Sequence, residues 1–472
     1  MSTPIKFGTD GWRAIIGDTF TLDNLTRVTE ATVLWLKAEH DNPQVMLGYD
    51  CRFNGALFAR HVANHFASRG VKVFLSPGFV STPMVSLATV TRQTTVGIIL
   101  TASHNPPEYS GFKIKGHFGG PAFPAMISAV EARIPDEARR LPNRFDELVD
   151  SRMIEYYDME ALYLNHLRDA FDLKAIKESG LKVGYDAMFG AGQRIFRKLL
   201  PQAVTLHTTF NPSFEGQAPE PIERNLKPFQ ELIRAQGLQF GLATDGDADR
   251  IGLFDEQGRF VDSHHILLLL IQYLHKHKGM QGKVVVTFSC SSRIEQLCQQ
   301  YGLPVQVTKI GFKYIGEIMA HENVLVGGEE SGGIAVAGFI PERDGIYIGL
   351  ILLEMMACTG KSLSQLVEEL YAEVGRFAFA RNDLHVTEEA KQAILAHCDD
   401  TGFDTFGAYS VQRTETLDGY KYHLAPGRWV MIRPSGTEPV LRVYAEAESE
   451  EVANQLLEAA VPTILQTGKS LE

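Results

Sequence analysis

"VMLGYDCRFNGALFARHVANHFASRGVKVFL", Val45 to Leu75, decides the fold class. An apolar run stops at Gly-Tyr-Asp and a turn follows. Phe58, Val62 and Phe66 then recur at the spacing of one helix face before a second strand-like run begins. Strand, turn, helix, strand is the unit from which parallel sheets are assembled. It returns twice. "LKVGYDAMFGAGQRIFRKLLPQAVTLH" from Leu181 repeats it down to the Gly-Tyr-Asp, with Ile195, Phe196, Leu199 and Leu200 as the apolar face. "KVVVTFSCSSRIEQLCQQYGLPVQV" from Lys283 repeats it with Ile294, Leu297, Cys298 and Tyr301. Three echoes predict three related α/β domains with mixed, mainly parallel sheets.

Each echo is followed by another apolar run that ends in a polar loop. "VGIIL" leads to "TASHNP", "FGLAT" to "DGDADR" and "NVLV" to "GGEESGG". Ligands of open α/β sheets gather beyond the carboxyl ends of strands. The three domains are therefore expected to give one loop each to a shared central cleft. The last hundred residues read differently. "RFAFARNDLHV", "GYKYHLAP" and "GRWVMIRPSGTEPVLRVYAEAES" alternate as strands, with helices expected near Glu388–His397 and Glu450–Leu465. This predicts a smaller C-terminal α+β domain carrying a fourth loop, "RPSGTEP". The expected domains are 1–150, 151–256, 257–375 and 376–472.

At 472 residues the chain is too long for one core. Hydrophobic residues at 44% and charged residues at 22% fit a globular protein. A net charge of −12 argues against nucleic acid or an anionic membrane as the main partner. Five cysteines with no CxxC pair suit a reducing compartment. No secretory signal is visible in "MSTPIKFGTDGWRAIIG". The most apolar stretches, Ile266 to Ile271 and Ile346 to Leu353, fall far short of the roughly 20 residues that span a bilayer. A cytoplasmic monomer or weak homodimer is expected.

In "DGDADR", Asp245, Asp247 and Asp249 alternate, so on an extended chain three carboxylates converge on one hard cation. Without a cation they repel, and at least one would hold a proton. A calcium loop of the EF-hand type is the competing reading, because Glu256 falls at position twelve. Against it, Arg250 occupies the sixth position, where a sharp turn needs glycine, and both flanks read as strands. Arg250 suits an anion that shares the metal.

"RPSGTEP" offers the guanidinium of Arg433, the hydroxyls of Ser435 and Thr437, and backbone amides freed by Gly436, with Arg442 close behind. That composition makes an anion cradle, and it also makes an ordinary turn. The acceptors of "GGEESGG" suit sugar hydroxyls, and the same residues suit a surface loop. Ser103 lacks the Gly-x-Ser-x-Gly elbow of a hydrolase. His104, adjoining it in sequence, should point elsewhere and make a poor base for it; it could orient the loop or contact an anion. A serine near three aspartates, Arg250 and a metal suggests phosphate chemistry. A phosphoserine carries about −1.5 to −2 charges, which a divalent cation would neutralise.

Four loops in this order, over essentially the whole chain, resemble those of the α-D-phosphohexomutase family of phosphoglucomutases and phosphomannomutases. The resemblance implies four domains in a heart-like arrangement around a central cleft. It implies that Ser103 is the phosphorylated residue and that Ser103, Asp245, Asp247 and Asp249 hold Mg²⁺. Arg13, in "FGTDGWR", would lie near the phosphoserine, and Lys113 would assist proton transfer. Glu329 and Ser331 would grip sugar hydroxyls, and Arg433, Ser435, Gly436 and Thr437 the distal phosphate. The implied reaction interconverts hexose 1-phosphate and hexose 6-phosphate through a bound 1,6-bisphosphate, with glucose 1,6-bisphosphate as activator. An amino-sugar branch usually differs in the metal and sugar loops, so glucose is the expected sugar and mannose a second. Where a dual-specificity branch has histidine, this chain has Gly333, leaving Lys313 or Arg343 to complete the phosphate contact. Two alternatives stand beside it: a glucose-1,6-bisphosphate synthase, or a non-catalytic, metal-stabilised sugar-phosphate binder.

Overall fold

β-branched runs alternating with amphipathic helices set the layers of the molecule. The computed structural model describes residues 4–434 and 440–469. Its contacts divide the chain into two compact units, Met1–Lys283 with Gly311–Gln365, and Val284–Ile310 with Leu366–Glu472.

In the first unit, six strands form one sheet: β1 (Trp12–Ile15), β2 (Gln44–Tyr49), β3 (Lys72–Leu75), β4 (Val96–Leu100), β5 (Tyr109–Gly116) and β6 (Ile154–Tyr156), in the order β1-β5-β4-β2-β3-β6. β2 runs parallel to β3 and β4, and β5 folds back antiparallel on β4. Helices α1 (Leu22–Glu39), α2 (Gly55–Ser68) and α3 (Thr82–Arg92) connect and cover these strands. The stripe of Phe58, Val62 and Phe66 is buried against Val45, Leu47 and Ile98. Each such side chain contributes about 1.5–3 kcal/mol of transfer free energy. α1 starts where the Thr21 hydroxyl accepts from the Asn24 N–H, and α3 where Ser81 accepts from Met84 N–H, with Pro83 in the first turn.

A second sheet has the order β11-β10-β9-β7-β8, from β7 (Val183–Asp186), β8 (Val204–Leu206), β9 (Phe240–Thr244), β10 (Ile251–Phe254) and β11 (Phe260–Val261). β7 is parallel to β8 and β9, and β10 is antiparallel to β9. The Gly-Tyr-Asp strand thus takes the same place in both sheets, next to the strand that carries the polar loop. The helix of the second echo is only Ile195–Leu199, because Leu200 precedes Pro201 and leaves the helical region. The first unit also holds the antiparallel hairpin Val324–Gly328 and Ile334–Val336, and the buried helix Gly345–Thr359.

The second unit contains residues 284–287, which pair in parallel with Val305–Thr308. The same unit holds an antiparallel sheet ordered Ala378–His385, Val440–Ala447, Arg428–Pro434, Tyr420–Ala425, Arg413–Glu415. Helices Glu388–Asp400 and Glu450–Lys469 cover it, burying Ile394, Leu456 and Ile464 on Leu441 and Val443. Among the described residues no single helix is long and apolar enough to cross a membrane.

Candidate active site

Three polar loops of the first unit meet: residues 101–108 after β4, 245–250 between β9 and β10, and 329–333 in the hairpin. Ser103 is 1% exposed and has φ +52°, in the left-handed region. Its N–H donates to Thr101 Oγ1 at 2.8 Å, and its hydroxyl donates to Asp245 Oδ2 at 2.7 Å. A Cβ on Gly246 would lie 2.5 Å from the Ser103 carbonyl oxygen, so glycine is what allows the two loops to touch. His104 Nδ1 is 3.5 Å from Ser103 Oγ, at the limit of a hydrogen bond and closer than the sequence suggested. Burial, with Arg250, Arg13 and Lys113 around it, pushes His104 well below the usual histidine range, so its ring is neutral.

The aspartates converge, but not by alternation along an extended strand. They occupy a tight turn in which Asp245 Oδ1 accepts the N–H groups of Asp249 and Arg250 at 2.9 and 3.1 Å, while Ala248 sits at φ +58°. The backbone winds around the first carboxylate because that side chain competes for the amides. All three are buried, and one carboxylate oxygen from each lies within 4.8 Å of the others. Oδ1 of Asp247 and Oδ1 of Asp249 are buried with no hydrogen-bond partner among the described residues. Hard, clustered, unsatisfied oxygens beside a serine hydroxyl fit Mg²⁺.

Lys113 and Arg343 bring cations to the same carboxylates. Lys113 Nζ on β5 donates to Asp247 Oδ2 at 2.8 Å and Asp249 Oδ2 at 3.2 Å, and lies 2.7 Å from Asp10 Oδ2. Arg343 Nη2 donates to both Asp249 and Asp10. Thr82, at the start of α3, donates its hydroxyl to Asp247 Oδ2 at 2.5 Å. These contacts split the titration of the aspartates. Burial and its two acidic neighbours push Asp245 well up. Burial acts the same way on Asp247, but the Lys113 ammonium overrides it and holds that carboxyl below the usual range. Burial opposes charge on Lys113 too, yet Asp10, Asp247 and Asp249 outweigh it and keep the ammonium protonated.

Arg13 Nη1 donates to Asn105 Oδ1 at 2.6 Å, which places it on the serine loop. Arg250 lies 3.7 Å from Glu220, and the backbone after it is tied to the 329–333 loop, where Ile251 N–H donates to the Gly332 carbonyl at 3.0 Å. Glu329 is buried, accepts the Gly311 N–H at 3.0 Å and lies 3.7 Å from Arg343. Burial raises its carboxyl to about 7 against the pull of Arg343. Ser331 is half-buried at the loop tip. A Cβ at Gly333 would lie 2.3 Å from Cδ of Arg343, so Arg343 fills the space a side chain there would need. Lys313 lines a cavity of about 160 Å³ with Asp10 and Ile127. Arg433 lies in the strand Arg428–Pro434 of the second unit, 3.4 Å from Asp418 and in register with Arg442. Ser435, Gly436 and Thr437 lie outside the described residues.

Sequence reasoning missed Asp10, Thr82 and Glu342, the last of which pairs with Lys115 at 2.5 Å. Asp10 stood within "FGTDGWR", where only the arginine drew notice; Thr82 and Glu342 carry no local signal.

Comparison with known proteins agrees with this geometry. The chain matches the phosphoglucomutase/phosphomannomutase family throughout: alpha/beta/alpha domain I over residues 4–140, domain II over 161–258, domain III over 262–374 and the C-terminal domain over 384–462. It is 31% identical to a phosphoglucomutase/phosphomannomutase of Thermococcus kodakarensis, covering 96% of this chain and 97% of that one. It is 28% identical to a phosphoglucosamine mutase of Carboxydothermus hydrogenoformans, over 97% and 98% of the two. A crystal structure from Thermus thermophilus shares 34% identity and a TM-score of 0.86, over 98% of this chain and 100% of that one.

Proposed function

Because the chain belongs to the phosphoglucomutase/phosphomannomutase family, and is thus a phosphohexomutase with the four-domain α/β architecture of that family, we propose that it interconverts hexose 1-phosphate and hexose 6-phosphate, preferring glucose and accepting mannose. The observation that carries this reading is Ser103 Oγ 2.7 Å from one of three clustered, buried aspartates. Ser103 Oγ carries a phosphoryl group and yields it to the free hydroxyl of the bound monophosphate, giving a 1,6-bisphosphate. After the sugar turns over, Ser103 Oγ accepts the other phosphoryl group and the isomeric monophosphate leaves. Asp245, Asp247, Asp249 and the serine oxygen are the groups that would hold Mg²⁺, which when bound would neutralise phosphoryl charge and polarise the group for transfer.

Lys113, kept protonated by its aspartates, supplies positive charge and hydrogen bonds at the reacting oxygens. Arg13 and the neutral His104 border the serine loop, where they orient it and receive phosphate oxygens. Glu329 and Ser331 receive sugar hydroxyls, with Arg250 and Arg343 as the nearby cations. Arg433 with Ser435, Gly436 and Thr437 takes the distal phosphate. Glucose 1,6-bisphosphate serves as activator by phosphorylating Ser103.

The phosphoglucosamine mutase relative supports a second reading, with an amino sugar as substrate. Initial rates on glucose, mannose and glucosamine 1-phosphates, with Mg²⁺ and a trace of the matching bisphosphate, decide between them. Glucose 1-phosphate should turn over fastest. Fastest turnover of glucosamine 1-phosphate would transfer the assignment, and none on any of the three would sink the mutase. Free 1,6-bisphosphate accumulating from an added phosphoryl donor such as fructose 1,6-bisphosphate would point to a synthase instead.

A further inference from the structure

Arg52 has no role in the chemistry above, yet its guanidinium donates to backbone carbonyls along and just after the serine loop. It follows the Gly-Tyr-Asp at the end of β2, and its side chain is 1% exposed. A guanidinium that deep must place its donors on protein acceptors. Nη1 donates to the carbonyls of Pro106 at 2.7 Å and Tyr109 at 2.8 Å, and Nη2 to those of Ser103 at 2.7 Å and Asn105 at 2.6 Å. Asp50 completes the arrangement. It lies 3.3 Å from Arg52 Nε, accepts the Arg52 N–H at 3.0 Å and accepts the Thr101 hydroxyl at 2.5 Å. Thr101 Oγ1 is the atom that accepts the Ser103 N–H. From the second domain, the Phe214 ring lies 5.2 Å from the guanidinium carbon.

The peptide groups on both sides of Ser103 are therefore tied to one buried pair. The carbonyl of Ser103 is held by Arg52, and its amide is held through Thr101 by Asp50. Between them the residue adopts φ +52°, which a serine does not take unless the surroundings impose it. That conformation is the one that brings Oγ to Asp245.

We propose that Arg52 is a positioning residue for Ser103: its planar fork gathers three loop carbonyls and the first carbonyl of β5, and so keeps the serine hydroxyl aimed at the aspartate cluster. The proposal rests on the reading of Ser103 as the phosphoryl carrier. Lysine cannot stand in, because a flexible ammonium has no fork and cannot reach four carbonyls at once.

Arg52→Lys tests it. The variant should lose roughly 10²-fold in kcat, as misplacement of a reacting group by about 1 Å does, while KM stays within about threefold. Thr101→Val, which cuts the tie to the Ser103 amide without touching a charge, should show the same split. Wild-type kcat in a folded Arg52→Lys protein overturns the proposal, as does a loss carried entirely by KM. Should Arg52→Lys not fold, Thr101→Val decides alone by the same criterion. Amide hydrogen exchange over residues 101–109 reads the positioning without turnover. Protection there should drop in either variant, and unchanged protection overturns the proposal. A wild-type protein that turns over no hexose phosphate but loses this protection on substitution would count against the mutase reading and leave the role of Arg52 standing.

Discussion

Ser103 shows how much one side chain depends on its neighbours: a strained backbone, a carbonyl held by Arg52 and a hydroxyl 2.7 Å from Asp245. Ser103→Ala removes the acceptor of the covalent step, so kcat should drop by roughly 10³-fold or more, and intact mass should show the loss of a protein-bound phosphate. Turnover retained in that variant would reassign the carrier. Glu329 gives a prediction of a different kind. Its carboxyl, raised by burial to about 7, changes from hydrogen-bond donor to anionic acceptor as pH rises through neutrality. If it receives sugar hydroxyls, kcat/KM should climb between about pH 6 and 8 and Glu329→Gln should flatten the climb. An unaltered profile in the Gln variant would place the titration on another group. The serine and the acidic loop were both readable in the chain because their residue types are unusual together. Arg52 and Asp10 were not, since an arginine after Gly-Tyr-Asp and an aspartate between glycines look the same whether they face solvent or a buried site.

Helix Gly345–Thr359 illustrates how an element is joined to the site. Asp344 caps it, with Oδ1 accepting the N–H groups of Ile346 at 3.0 Å and Tyr347 at 2.9 Å, and the Tyr163 hydroxyl donates to the same carboxyl at 2.7 Å. Burial raises Asp344 to about 7 despite these bonds. A folded-state value above the unfolded one means that the native protein binds the extra proton. The stability this confers is whole below about pH 4 and is lost as pH rises through 7, an effect on the order of 4 kcal/mol. Asp344→Asn keeps the Oδ1 acceptor without the charge, so its melting temperature should fall less than that of the wild type between pH 5 and 8. Parallel decline in the two proteins would show that another group carries the titration. The loops teach a related lesson. Alternating aspartates suggested an extended chain, but the Asp245 side chain captured two amides and closed a turn, which period-two reasoning does not foresee. The helix of the second echo ended early for a reason that was visible, Pro201.

For the molecule as a whole, three buried carboxylates within 4.8 Å are a folding liability that a bound cation relieves. Mg²⁺ should therefore raise the melting temperature in a concentration-dependent way, by the equivalent of about 2.7 kcal/mol at a hundred times its Kd. Asp245→Asn should weaken that dependence, and a wild-type melting curve indifferent to Mg²⁺ would remove the metal from the account. Strand and helix placement, the α/β class, the three echoes and the family of loops all followed from the amino-acid order, because periodicity and turn chemistry act over a few residues. The tertiary structure decided which charges share a space. It set Lys113 against three acids, filled the room beside Gly333 with Arg343, and assigned Arg52 to the serine loop. Those pairings join residues from ten to 136 positions apart. Their energies come from burial and from distances of a few ångströms, quantities that exist only once the chain has closed on itself.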